Sequence, residues 1–96
     1  MRPIRVAVTG LGTVCPLGNT VDTMWQQLMS GACGIAEISY FDASLFPTRI
    51  AAEVKNFQAT FPNAQKLMRS QTRFTTFALE AAYQAMQDAN LLPAIE

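Results

Sequence analysis

Apolar residues are spaced in three different ways along the chain, and each spacing predicts a different element. From Ile4 to Thr9 they are almost continuous (Ile4, Val6, Ala7, Val8) and rich in β-branched side chains. That pattern predicts a strand covered on both faces, as in a parallel or mixed sheet. Gly10 to Gly18 reads as a loop from its Gly and Pro content. Val21, Met24, Trp25, Leu28 and Met29 then follow the i, i+3, i+4, i+7, i+8 rule of an amphipathic helix over about residues 20–30. Asn19 is the expected N-cap, with Asp22 at the third helical position near the positive end of the dipole. Gly31 supplies the left-handed residue that closes the helix.

Residues 32–63 follow no single period. Gly34, Pro47 and Pro62 punctuate them, Phe41, Phe46, Phe57 and Phe61 recur between, and Ile50–Val54 is a candidate short strand. From about Ser70 to Ala89 helical spacing returns. Phe74, Phe77, Ala78, Ala81, Ala85 and Met86 form one stripe, widened by Leu79, Ala82 and Tyr83. Such a helix is expected to be buried, with alanines that admit close approach of a neighbouring element. Asn90 is placed to end it in the left-handed conformation and Pro93 to stop its continuation. The order is strand, helix, irregular segment with a possible short strand, helix, which indicates an α/β fold with a mixed sheet.

Composition adds two constraints. Half of the 96 residues are apolar and only 15% are charged. For so small a chain this implies surface meant to be covered by more chain or by a partner. Seven basic residues balance seven acidic ones, so no global field recruits nucleic acid or an anionic membrane. The apolar run near the N-terminus is too broken for a signal peptide, and no run approaches the ~20 residues of a membrane span. The expected setting is the reducing cytoplasm, with Cys15 and Cys33 as free thiols.

Three local patterns suggest chemistry. Gly10-Leu11-Gly12 after a strand looks like the start of a dinucleotide-binding loop, but Cys15 stands where the third glycine of G-x-G-x-x-G belongs. The helix also begins too late for its N-terminus to meet a phosphate held by those glycines. The glycines are therefore read as a tight turn, chosen for backbone angles. Neither cysteine lies at a predicted helix start, and the chain contains no histidine to activate a thiol; both are expected to be small buried fillers. Finally, Lys66, Arg69 and Arg73 recur at spacings of three and four. On one helical face they would suit an acidic or phosphorylated partner, although spacing alone favours an ordinary solvated face.

The segments "VAVTGLGTVCPLGNT", "MWQQLMSGACGI", "YFDAS", "EVKNF" and "AAYQAMQDANL", in this order, resemble the N-terminal part of beta-ketoacyl-acyl carrier protein synthases. The elongating condensing enzymes of type II fatty acid synthesis are the nearest likeness, followed by polyketide ketosynthases. The resemblance implies that residues 1–96 are the N-terminal part of one thiolase-like α/β domain, with the rest of the synthase chain and a second copy as partners. It implies decarboxylative Claisen condensation through a cysteine and two histidines that lie downstream of residue 96, so no catalytic residue, cofactor or metal ligand is expected within it. It also implies that Lys66 and Arg69 contribute to a basic patch that receives acyl carrier protein. Ser70 replaces a base frequent in relatives, and Arg73 falls outside the motif. The alternatives are a non-catalytic, chain-length-factor-like partner subunit, a polyketide ketosynthase fragment, or a free-standing small binding domain.

Overall fold

The computed structural model describes residues 2–91. In chain order these form helix α1 (Val21–Met29), strands β1 (Ile35–Glu37) and β2 (Ile50–Ala52), and helices α2 (Ala64–Ser70) and α3 (Arg73–Asp88). The two strands pair antiparallel, with Ile35 opposite Ala52 and Glu37 opposite Ile50. This is a small α/β arrangement, and its sheet is antiparallel rather than mixed.

The predicted first strand does not form. Residues 4–9 join no ladder, and Ile4, Val6 and Val8 are 92, 87 and 79% exposed. A strand is completed by a neighbour that takes its N–H and C=O groups, and no other described segment runs beside this one. The strand at Ile50 was expected. Its partner β1 was not, because pairing across a twelve-residue connection (38–49) leaves no local sequence signal.

Helix α1 lies within the expected range, but Thr20 caps it in place of Asn19. The Thr20 hydroxyl accepts the Thr23 N–H at 3.2 Å. Gly31, at φ +79°, allows the Gly31 N–H to reach the Leu28 carbonyl and the Ala32 N–H to reach that of Gln27. This pair of bonds satisfies carbonyls left free at the helix end. α3 ends the same way, with Asn90 at φ 59° and the Asn90 and Leu91 N–H groups bound to Gln87 and Met86. Pro93 lies outside the described residues.

The helix expected from about Ser70 to Ala89 is α3, which starts at Arg73, and a short helix that was not expected, α2, precedes it across an extended Gln71–Thr72. The Gln71 N–H bonds to the Leu67 carbonyl and the Ser70 hydroxyl turns back toward Lys66 and Leu67 carbonyls, which ends α2. Thr72 then occupies the position before α3.

The core is slight. Among described residues only Ala43 and Phe61 are buried apolar residues, and the radius of gyration is 16.9 Å. A compact chain of this length would have one of about 12.5 Å. α3 is not wrapped in apolar cover as its stripe suggested; its two buried residues are Thr76 and Glu80. Polar residues thus take the buried positions of α3, where an apolar stripe was expected.

Candidate functional site

α3 carries a row of polar residues four apart: Thr76, Glu80, Gln84 and Asp88. A spacing of four keeps them on one helix face, and the last three hold main chain that passes over it. The Asp88 carboxylate accepts the Leu11 N–H at 3.0 Å, and the Gln84 carbonyl oxygen accepts the Thr13 N–H at 3.2 Å. The Gln84 amide also donates to the Asn19 carbonyl at 2.7 Å. Glu80 accepts the Thr60 N–H at 2.6 Å and the Thr60 hydroxyl at 2.8 and 3.0 Å.

The question of the glycine loop is settled here. Its Leu11 and Thr13 amides already serve α3, so they are not free to cradle a phosphate. The loop also lies directly on the helix: a methyl group at Gly10 would come within 2.8 Å of the Ala89 nitrogen, and one at Gly12 within 2.8 Å of the Ala85 nitrogen. Neither glycine has a positive φ. They are therefore required by close approach, not by backbone angles as the sequence suggested. The alanines at 81, 85 and 89 are the other half of that seam.

Asn19, displaced from capping, bridges instead. Its amide donates to the Lys55 and Asn56 carbonyls at 3.0 and 3.1 Å, tying the start of α1 to the segment after β2. The thiols are unpaired, as expected. Cys15 is half-buried and donates weakly to the Gly18 carbonyl, whereas Cys33 is exposed and is not a buried filler.

The three cations separate. Between Glu53 and Glu80 the chain has four basic residues and no acidic one, but their roles differ. Lys66 and Arg69 are exposed on α2, three residues apart, and line an open groove of about 730 Å³ with Ala59, Asn63, Ala64 and Gln65. Arg69 sits in the last turn, where the negative end of the helix dipole favours it. Arg73 begins α3 and turns away. Its guanidinium donates to the Val54 carbonyl at 2.9 Å and the Tyr40 hydroxyl at 3.3 Å. It also lies over the Tyr40 and Phe77 rings, 5.3 and 4.9 Å from their centres. Phe57 packs edge-on against Phe77 at 4.8 Å. Arg73 is thus a structural clasp, and the basic patch contains two residues.

Beside the hairpin, Glu53 is held ionised. Partial desolvation pulls its pKa upward. Hydrogen bonds from the Ser39 hydroxyl, the Ser39 and Tyr40 N–H groups, and the nearby Lys55 charge outweigh it and bring the carboxyl below its ordinary 4.5. Asp42 is lowered from 3.8 by bonds from Ser44, backbone first. Neither carboxylate faces the α2 groove.

Sequence reasoning missed Glu80, Gln84 and Asn19 as organising residues. The available signal was the spacing of Glu80, Gln84 and Asp88, which placed the polar interruptions of an apolar helix in one line.

Comparison with known proteins places these features in a family. Residues 4–95 match the family described as "Beta-ketoacyl synthase, N-terminal domain". The chain is 48% identical over 91 residues to the 3-oxoacyl-acyl-carrier-protein synthase 2 of Coxiella burnetii, covering 95% of this chain and 22% of that protein. It is 47% identical over 88 residues to the synthase of that name from Synechocystis, covering 92% of this chain and 21% of the relative. For the Vibrio harveyi protein identity is 41% over 91 residues, covering 95% and 22%. The chain thus spans about a fifth of the length of the curated relatives it matches.

Proposed function

This chain belongs to the beta-ketoacyl synthase family, and on that premise we propose that it is the N-terminal segment of a fatty acid condensing enzyme that docks acyl carrier protein through α2. The observation that carries the reading is the match along residues 4–95, together with 48% identity to a synthase from its N-terminal domain. In the proposed reaction an acyl group passes from carrier protein to a cysteine thiolate. Malonyl-carrier protein loses carbon dioxide, and the resulting carbanion attacks the thioester to release a beta-ketoacyl product two carbons longer. Covalent capture divides one difficult transfer into two easier ones.

The segment's share of this work is scaffold and docking. It has no histidine, and neither Cys15 nor Cys33 falls at the family's nucleophile position, so the reacting groups come from elsewhere in a thiolase-like domain. We assign that domain a cytoplasmic setting and a homodimeric assembly by the same family reasoning. No helix among the described residues is long and apolar enough to cross a membrane.

Lys66 and Arg69 are the proposed contacts for carrier protein, whose carboxylates and phosphopantetheine phosphate complement two exposed cations. Charges of this kind act mainly on association, and salt screens them over a Debye length of about 8 Å at physiological ionic strength. The test uses Lys66→Glu with Arg69→Glu in the full-length synthase, with carrier-bound and small thioester substrates at two salt concentrations. The expected result is a loss confined largely to the carrier-bound substrate and greatest at low salt. Equal losses on both substrates would make these residues supports of the fold and remove the docking assignment.

A further inference from the structure

We infer that Glu80, which lies on α3 and not on the helix of the proposed contacts, is the positioning residue that fixes the α2 groove, and that through Thr60 it sets how well a carrier protein is received. The inference rests on the docking reading and adds to it a residue of different chemistry, an acid in the service of a basic patch.

The argument begins with what the carboxylate costs. Glu80 is only 3% exposed, and a buried carboxylate is unfavourable unless its lone pairs are filled. Here they are filled by neutral donors. Oε1 takes the Thr60 N–H and hydroxyl, and Oε2 takes the Thr60 hydroxyl and the Gln84 amide, the last at 3.2 Å. Three of these four bonds go to one residue. An alanine here would extend the stripe of α3 at no desolvation cost, so the specific gain from a glutamate is its hold on Thr60.

Thr60 is well placed to pass that hold on. Ala59, immediately before it, lines the groove. Phe61, immediately after it, is one of two buried apolar residues in the described chain. Asn63 then enters α2 in the left-handed conformation, without a side-chain cap. α2 itself has seven residues, too few for a helix to be stable on its own. Its position is therefore imposed by its packing on α3 and by its ends, and the entering end is anchored by Thr60 on Glu80 and by Phe61. Lys66 and Arg69 inherit their placement from that anchor. Releasing it would leave both charges present but no longer held in a fixed relation to the groove.

The experiment uses the full-length synthase with Glu80→Ala, Glu80→Gln, and the Lys66→Glu/Arg69→Glu pair. Two readouts are taken: KM and kcat on carrier-bound and small thioester substrates, and amide hydrogen exchange across residues 59–70. Glu80→Ala is expected to raise KM for the carrier-bound substrate about tenfold, within the range of residues coupled through a shared backbone segment. Exchange across α2 should accelerate and kcat on the small thioester should change by less than about twofold. Glu80→Gln should recover most of the KM, because its carbonyl oxygen still accepts the Thr60 N–H. The charge-reversed pair should lose carrier-bound activity with exchange unchanged. If Glu80→Ala proves too unstable to purify, Thr60→Val, which removes the hydroxyl alone, should show the same pattern more weakly. Unchanged exchange in Glu80→Ala, or equal losses on both substrates, overturns the positioning role. A carrier-specific loss in the charge-reversed pair without one in Glu80→Ala overturns it while leaving docking intact. Faster exchange with no carrier-specific loss in either variant overturns the docking reading, and with it the effect of Glu80 on carrier protein, while its hold on α2 stands.

Discussion

Residues 4–8 and residues 10–13 are neighbours in sequence and opposites in structure. The first stretch is the most apolar near the N-terminus and almost fully exposed. The second holds two glycines and lies close enough to α3 that an added methyl group would collide with helix backbone. Apolarity marks a need for cover, but the cover must come from another segment. Glycine at a seam marks cover already in place. The two stretches thus separate what this chain completes by itself from what it offers to something else.

The strongest way to break that contrast is Gly12→Ala. Its Cβ would overlap the Ala81 carbonyl oxygen and press on Gln84, and rigid helix backbone has little room to yield. Overpacking of this kind costs about 1–3 kcal/mol and occasionally more; the upper end is expected here. Val6→Thr in the exposed stretch should shift stability of the same 96-residue chain by less than about 0.5 kcal/mol. Urea unfolding followed by Trp25 fluorescence compares the two, and similar midpoints for both variants would dissolve the distinction.

Arg73→Ala probes a second seam, made of side chains rather than backbone. It removes the bonds to Val54 and Tyr40 and the stacking on Phe77. Because the guanidinium is exposed, a loss of about 1–2 kcal/mol is expected. Arg73→Lys should recover only part of it, since an ammonium cannot both bridge two oxygens in a fixed fork and lie flat on a ring. Full recovery by lysine would show that charge alone is sufficient.

The smallest effect is expected at Glu53, next to the hairpin. Its folded pKa lies below the ordinary 4.5. The stabilisation is therefore complete above pH 4.5 and is lost as pH falls through the lower folded value. Glu53→Gln should remove this part of the acid dependence through a small loss of stability at neutral pH that vanishes once the pH is below the folded value. An NMR titration of the Glu53 carboxyl above its ordinary value would reverse the sign.

What could be seen in the sequence was local. α1 showed itself through its apolar spacing, both left-handed closures through Gly31 and Asn90, and β2 through Ile50 and its neighbours. What could not be seen depended on distant partners. β1 is defined by residues fifteen or so positions away, and the unpaired run at Ile4 reads as a strand because its side chains fit one. The short helix α2 was missed because it lies in the stretch without a single period, and its end turns on Ser70, whose hydroxyl bonds back to the Lys66 and Leu67 carbonyls. Of the docking candidates, Lys66 and Arg69 are exposed on one short helix, whereas Arg73 follows its aromatic neighbours.

The polar row on α3 has a consequence for which changes the chain tolerates. Asp88 and Gln84 recognise the amides of Leu11 and Thr13, and an amide is common to nearly every residue. Side chains at positions 11 and 13 can therefore drift during evolution without loosening the loop. Proline, which has no N–H to give, is the one residue that both positions should exclude.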